Sequence, residues 1–136
     1  MKKIFSALLV AAFFVMSLAS SHAQTSTYIL VRHAEKDTST AGSTSMRADP
    51  PLTKQGEQRA EKLLEVLKAY TPDAIYSTNY MRTKATVAPL AKKFSKEIQT
   101  YDPRNLAAMA DLLLQQKGKL LLHSFHSRRI PIQLLR

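Results

Sequence analysis

The stretch Tyr28-Ile29-Leu30-Val31-Arg32-His33-Ala34-Glu35-Lys36 decides how this chain is read. Its first four residues form a short apolar, β-branched run with no alternation of polar side chains. Such a run reads as a strand buried on both faces, which is the habit of parallel strands. The run ends abruptly at Arg32 and His33. In a parallel sheet, ligands bind beyond the carboxyl ends of the strands. The residues at this strand end, and at those of its neighbours, are therefore the ones that carry chemistry.

Working outward, residues 37–51 are rich in Asp, Ser, Thr, Gly and Pro and form a loop. Thr53 is placed to cap a helix on which Ala60, Leu63, Leu64 and Leu67 fall at helical spacing. Pro72-Asp73 turns the chain into a second strand, Ala74 to Ser77. A second helix carries Met81, Ala85, Ala88 and Ala91 on one face, and Pro89 is expected to kink or interrupt it. Glu97 to Tyr101 is a third strand. Leu106, Met109, Ala110 and Leu113 mark a third helix, closed by Gly118, and Leu120 to Ser124 is the fourth strand. Strands alternating with helices predict an α/β domain with a mostly parallel sheet. There is no internal repeat and no low-complexity linker.

Composition narrows the function. The 136 residues include 20 Lys+Arg against 10 Asp+Glu, for a formal charge of +10, and contain no Cys. A disulfide framework, a zinc knuckle and a thiol nucleophile are thereby excluded. The basic Met1-Lys2-Lys3, the apolar run Ile4 to Ala19 and the small residues around Ser21-His22-Ala23 form the three-part pattern of a secretory signal peptide. The expected domain organisation is therefore a signal peptide over 1–23 and one domain over 24–136, placed in the periplasm or secreted. After cleavage no stable membrane association is expected. The remaining Lys residues are scattered over helix faces rather than clustered, so nucleic acid is not an expected partner.

Three predicted strand ends deliver Arg and His to one edge. The first brings Arg32 and His33. The second brings Ser77-Thr78, followed by Arg82-Thr83 where a helix begins. The fourth brings His123, Ser124, His126, Ser127, Arg128 and Arg129. Guanidinium forks match phosphate oxygens bidentately, and an imidazole can attack phosphorus and carry the group as a phosphohistidine. The chain has no Gly-rich P-loop, which argues against nucleoside-triphosphate chemistry.

These residues bring the chain close to a known pattern. It resembles the histidine phosphatase superfamily, with the phosphoglycerate mutase-like fold, and within it the small bacterial members that include the phosphohistidine phosphatases. Arg32-His33-Ala34 stands where that family has Arg-His-Gly. Leu52 to Ala60 matches Leu-Thr-x-x-Gly-x-x-Gln-Ala, with Arg59 where Gln is commoner. Ser77 to Thr86 matches Ser-x-x-x-x-Arg-Thr-x-x-Thr. The three motifs occur in order between Tyr28 and about Lys119.

The resemblance implies a three-layer α/β/α fold and a histidine-type phosphatase, a hydrolase that needs no cofactor and no metal. His33 would be the phosphorylated nucleophile, and Arg32 and Arg82 would bind the phosphate oxygens. Ser77 and Thr53 are better read as a strand end and a helix cap, and Glu35-Lys36 as a surface ion pair. The family places Gly-His-Ser-Asn-Thr after the fourth strand. Here His126-Ser127 is preferred as the counterpart, with Phe125 in place of Gly and Arg128-Arg129 in place of Asn-Thr; His123 is the alternative. Family members continue with a further helix and more sheet, so the resemblance also implies that C-terminal elements are missing. Asp102 lies near the usual location of a proton donor but reads as a turn residue before Pro103. The implied substrate is a phosphorylated small molecule or phosphoprotein, a phosphomonoester or phosphohistidine. The alternative is a catalytically inactive, truncated relative that binds phosphate-bearing ligands.

Overall fold

The computed structural model describes residues 25–39 and 49–125. The expected signal peptide and the residues His126 to Arg136 lie outside that range. In order, the elements are β1 (Thr27–Arg32), α1 (Lys54–Leu67), β2 (Ala74–Thr78), α2 (Met81–Lys93), β3 (Ile98–Tyr101), α3 (Leu106–Gln115) and β4 (Leu120–Phe125). The strands form one four-stranded sheet in the order β1-β4-β2-β3, and all three pairings are parallel. The sequence-predicted α/β class and parallel sheet are both found.

Strand residues alternate between the two faces of the sheet, and the core divides accordingly. Ile75 and Leu122 pack with Val87, Leu90 and Ala91 of α2, and Leu63, Leu64 and Leu67 of α1 close over them. Their strand neighbours Tyr76 and Leu121 face the other way and pack with Met109 and Leu113 of α3. Helices therefore cover both faces, giving the three-layer α/β/α arrangement. Thr53 caps α1 as expected, its hydroxyl accepting the Gly56 N–H at 3.0 Å. Gly118 has a φ of 71° in the turn that leads into β4, a conformation that a Cβ would strain.

Two expectations need correction. The first strand is not buried on both faces; its residues range from half-buried to exposed. Among the described residues it pairs only with β4, so it is an edge strand and lacks the cover that central strands receive. The second correction concerns α2. It runs through Pro89 without interruption, and its buried residues are Arg82, Thr83, Thr86, Val87, Leu90 and Ala91. Met81, Ala85 and Ala88 are exposed instead. The polar residues of α2 are drawn inward by hydrogen bonds at the strand ends, which turns the alanine face toward a groove against α1. Ala85 lies on that open side, so the carbonyl that loses its donor at Pro89 can be met by water. Among the described residues, no helix is long and apolar enough to cross a membrane.

His123 sits inside β4 with 1% of its surface exposed. Its ring lies 4.6 Å from that of Tyr101 and 6.2 Å from that of Phe125. Neither ring nitrogen has a hydrogen-bond partner among the described residues. Burial pulls the imidazole pKa down to about 4. Because the unfolded chain binds this proton more readily, stability is full above about pH 6.5 and falls as the pH drops toward 4. The expected loss is about 3 kcal/mol across that window. Urea midpoints measured against pH should show this slope, and His123→Phe should flatten it.

Candidate functional site

At the end of β1 the backbone N–H of His33 donates to the Phe125 carbonyl at 3.1 Å, extending the β1–β4 ladder by one step. Phe125 replaces the glycine of the expected pattern, yet its ring lies beside His123 and its backbone still meets His33. The half-buried His33 ring is oriented locally: Nδ1–H donates to the Ala34 carbonyl at 2.6 Å. A carbonyl can only accept, so in the neutral ring the lone pair resides on Nε2. Arg32 is exposed at the same strand end.

The next residue, Ala34, is anchored from both sides. Its N–H donates to the Thr86 hydroxyl at 2.9 Å, and that hydroxyl donates in turn to the Arg82 carbonyl at 2.7 Å. Its methyl packs with Leu52 and Ala60 in a small core of their own. Positive φ angles occur, among the described residues, at Ser95 and Gly118, so an alanine in place of the family's glycine imposes no backbone strain here. The loop then passes over the start of α1. The Glu35 carbonyl accepts the Thr53 N–H at 2.9 Å. A Cβ added to Gly56 would collide with that same carbonyl oxygen, so this glycine permits a close approach. Glu35 pairs with Arg59 rather than Lys36, at an exposed position. A backbone hydrogen bond and then the Arg59 guanidinium hold its carboxyl below the usual range.

Arg82 lies in the first turn of α2 and is buried, with 5% of its surface exposed. Its guanidinium lies over the Tyr80 ring at 4.4 Å, and Nη1 approaches Asp49 Oδ1 at 3.3 Å. Asp49 also caps the helix, since both its oxygens accept the Met81 N–H at 2.9 Å. Behind Arg82, Thr78 and Thr83 share a hydroxyl hydrogen bond of 2.9 Å, and Ser124 donates to the Thr83 carbonyl at 3.1 Å. Ser77 and Thr78 are fully buried, which fits their reading as the end of a strand.

The remaining expected residues divide. His123 is held inside β4 beside Tyr101, not at the strand end. His126 lies outside the described residues, although it follows Phe125 directly. Asp102 is exposed and paired with Arg104 through Nε at 3.0 Å and Nη2 at 3.1 Å. That guanidinium holds the Asp102 carboxyl below the usual range, which suits a turn residue and not a stored proton. Beside it, Asn79, Tyr80, Thr100, Tyr101, Asp102, Pro103 and Arg104 line an open cleft of about 570 Å³. Among the described residues no group of three His, Cys, Asp or Glu gathers as a metal ion would need. Asp49 and Thr86 are the contributors that sequence reasoning misses. Thr86 closes a recognised motif without an evident task, and Asp49 lies in a loop with no local signal linking it to Arg82.

The histidine phosphatase superfamily (branch 1) matches residues 28–104. The chain belongs to this superfamily. Phosphoserine phosphatase 1 of Hydrogenobacter thermophilus is 34% identical over 70 residues, which cover 52% of this chain and 33% of that protein. The match thus spans about a third of the length of that relative. Among solved structures, a phosphoserine phosphatase of Entamoeba histolytica bound to 3-phosphoglyceric acid superposes with a TM-score of 0.63 at 18% identity. The superposition covers 82% of this chain and 76% of that one. An Agrobacterium tumefaciens protein provisionally named phosphohistidine phosphatase SixA gives 0.59 at 21% identity, over 74% and 69% of the two chains. At those identities the likeness is one of fold, and it places this histidine phosphatase-like chain in the phosphoglycerate mutase-like architecture.

The hydroxyl of Thr86 should be indispensable. Thr86→Val leaves the buried Ala34 N–H without its partner, so urea unfolding should show a loss of about 1–3 kcal/mol. Thr86→Ser should recover most of it. Gly56→Ala should also destabilise, by forcing the His33–Glu35 loop away from α1, which thermal unfolding would register as a lower Tm.

Proposed function

We propose that this chain is a phosphatase that works through a phosphohistidine on His33. One observation carries the reading: Nδ1–H of His33 is committed to the Ala34 carbonyl, which leaves the nucleophilic lone pair on Nε2, and the same loop is tied through Thr86 to the backbone of Arg82. In the first step Nε2 attacks phosphorus, the bond to the leaving group breaks, and its electron pair departs with that group. In the second step water attacks the phosphohistidine, gives up a proton, and the P–N bond breaks to release inorganic phosphate. Arg32 and Arg82 bind the phosphoryl oxygens and stabilise their charge as the bonds exchange. His126, next along from Phe125, is the preferred second histidine. The burial of His123 inside β4 weighs against the alternative.

The substrate reading follows from the carboxylates. Glu35 and Asp102 are each ion-paired and held below the usual carboxylate range, so neither stands ready as a protonated donor at neutral pH. A leaving group that departs without a strong acid fits such a site best, as the imidazole of phosphohistidine or an aryl alkoxide does. The activity of the H. thermophilus relative supports a phosphorylated small molecule as the other candidate, and a phosphoprotein is the natural carrier of phosphohistidine. The pattern over residues 1–23 supports action outside the cytoplasm after cleavage.

Hydrolysis of an aryl phosphate by the purified protein tests the assignment. His33→Ala should abolish turnover, and Arg82→Ala should lower kcat by about 10²–10³. A quenched reaction should hold an acid-labile, alkali-stable phosphoenzyme that His33→Ala lacks. A folded wild type with no turnover would instead support the inactive relative that only binds phosphate-bearing ligands.

A further inference from the structure

We propose that Asp49 is the positioning residue for Arg82, an inference that rests on the phosphatase reading above. Arg82 brings a full positive charge into a site where its side chain is only 7% exposed, and such a charge requires a partner. Asp49 supplies one from the loop that precedes α1, 33 residues earlier in the chain. The carboxylate is itself fixed in space. Both oxygens accept the Met81 N–H, so the amino-terminal end of α2 holds the anion, and the anion holds the guanidinium. Tyr80 closes the arrangement by placing its ring against the flat side of the guanidinium. One face and one nitrogen of Arg82 are thus set by protein groups before any ligand arrives.

Chemistry explains why such a clamp matters. A guanidinium recognises phosphoryl oxygens as a planar fork, so its orientation decides whether two oxygens are met or one. Holding the fork in advance lowers the barrier of the transfer step, because the ordering is not left to the moment of reaction. Asp49 also brings a negative charge close to a phosphate dianion, which weakens ground-state binding of that dianion. The two effects act on different quantities. Loss of Asp49 should therefore depress kcat while leaving the affinity for phosphate unchanged or slightly improved. A carboxylate that served only as a helix cap would shift thermal stability and neither of these.

Asp49→Asn separates the roles, since an amide oxygen can still accept the Met81 N–H but the negative charge facing Arg82 is lost. With aryl phosphate, kcat should fall by about tenfold to a hundredfold. The Kd for inorganic phosphate, from calorimetry on the same protein, should not weaken. Asp49→Glu should recover part of kcat. A separate readout does not depend on turnover: in ¹⁵N-edited NMR the Arg82 Nε–H resonance, assigned with Arg82→Lys, should be sharp in the wild type and broadened in Asp49→Asn. Unchanged kcat and an unchanged Arg82 signal would overturn the proposal, as would a joint loss of phosphate affinity and Tm with no effect on kcat. A wild type with no turnover would defeat the phosphatase reading alone, and the Arg82 signal would then decide the positioning role.

Discussion

The hydroxyl of Thr86 is the point on which the two halves of the candidate site depend. It accepts the Ala34 N–H and donates to the Arg82 carbonyl, so the loop that follows β1 and the first turn of α2 share one buried oxygen. Both bonds are buried, and the Ala34 N–H could not be left without a partner cheaply. His33 and Arg82 come from sequence positions far apart. Their backbones are tied together through this hydroxyl. The inward turn of α2 follows from the same requirement, since Thr83 and Thr86 must reach the strand ends.

A second constraint acts from the opposite side of the loop. The Glu35 carbonyl must meet Thr53, and α1 must pass close enough to let it, which only a residue without a Cβ allows at position 56. The motif around Leu52 to Ala60 therefore acts on the site without touching a ligand. Leu52 and Ala60 pack on Ala34, Gly56 admits the loop, and Arg59 takes up the Glu35 carboxylate. Two motifs distant in sequence thus wall the short loop that carries the first.

Much of this architecture is legible in the sequence because local signals and tertiary demands agree. The apolar runs of β2 and β4, the Thr53 cap and the spacing of α1 and α3 each point to the element that forms. Disagreement appears where a tertiary hydrogen bond outweighs the apolar pattern. The alanine stripe of α2 suggests a core face, but Thr83 and Thr86 are pulled inward and the stripe is left facing a groove. The strand at Tyr28 reads as central from its composition, whereas its burial depends on neighbours that composition does not identify. Of the candidate site, motif spacing singles out Arg32, His33 and Arg82. Asp49 cannot, because a carboxylate that caps a helix 32 residues away has no periodicity to betray it.

The pairing of β1 with β4 also has a kinetic side. Thr27 lies opposite Leu120 and Arg32 opposite Phe125, so among the described residues the first strand waits for the fourth before it has a ladder to join. Such distant pairings are slow to form, because a long loop must close before any contact rewards it. During synthesis, His33 emerges well ahead of the strand that orders its backbone. The backbone around His33 is thus ordered late in folding, and until β4 arrives the residue has its sequence neighbours but not its place beside Phe125.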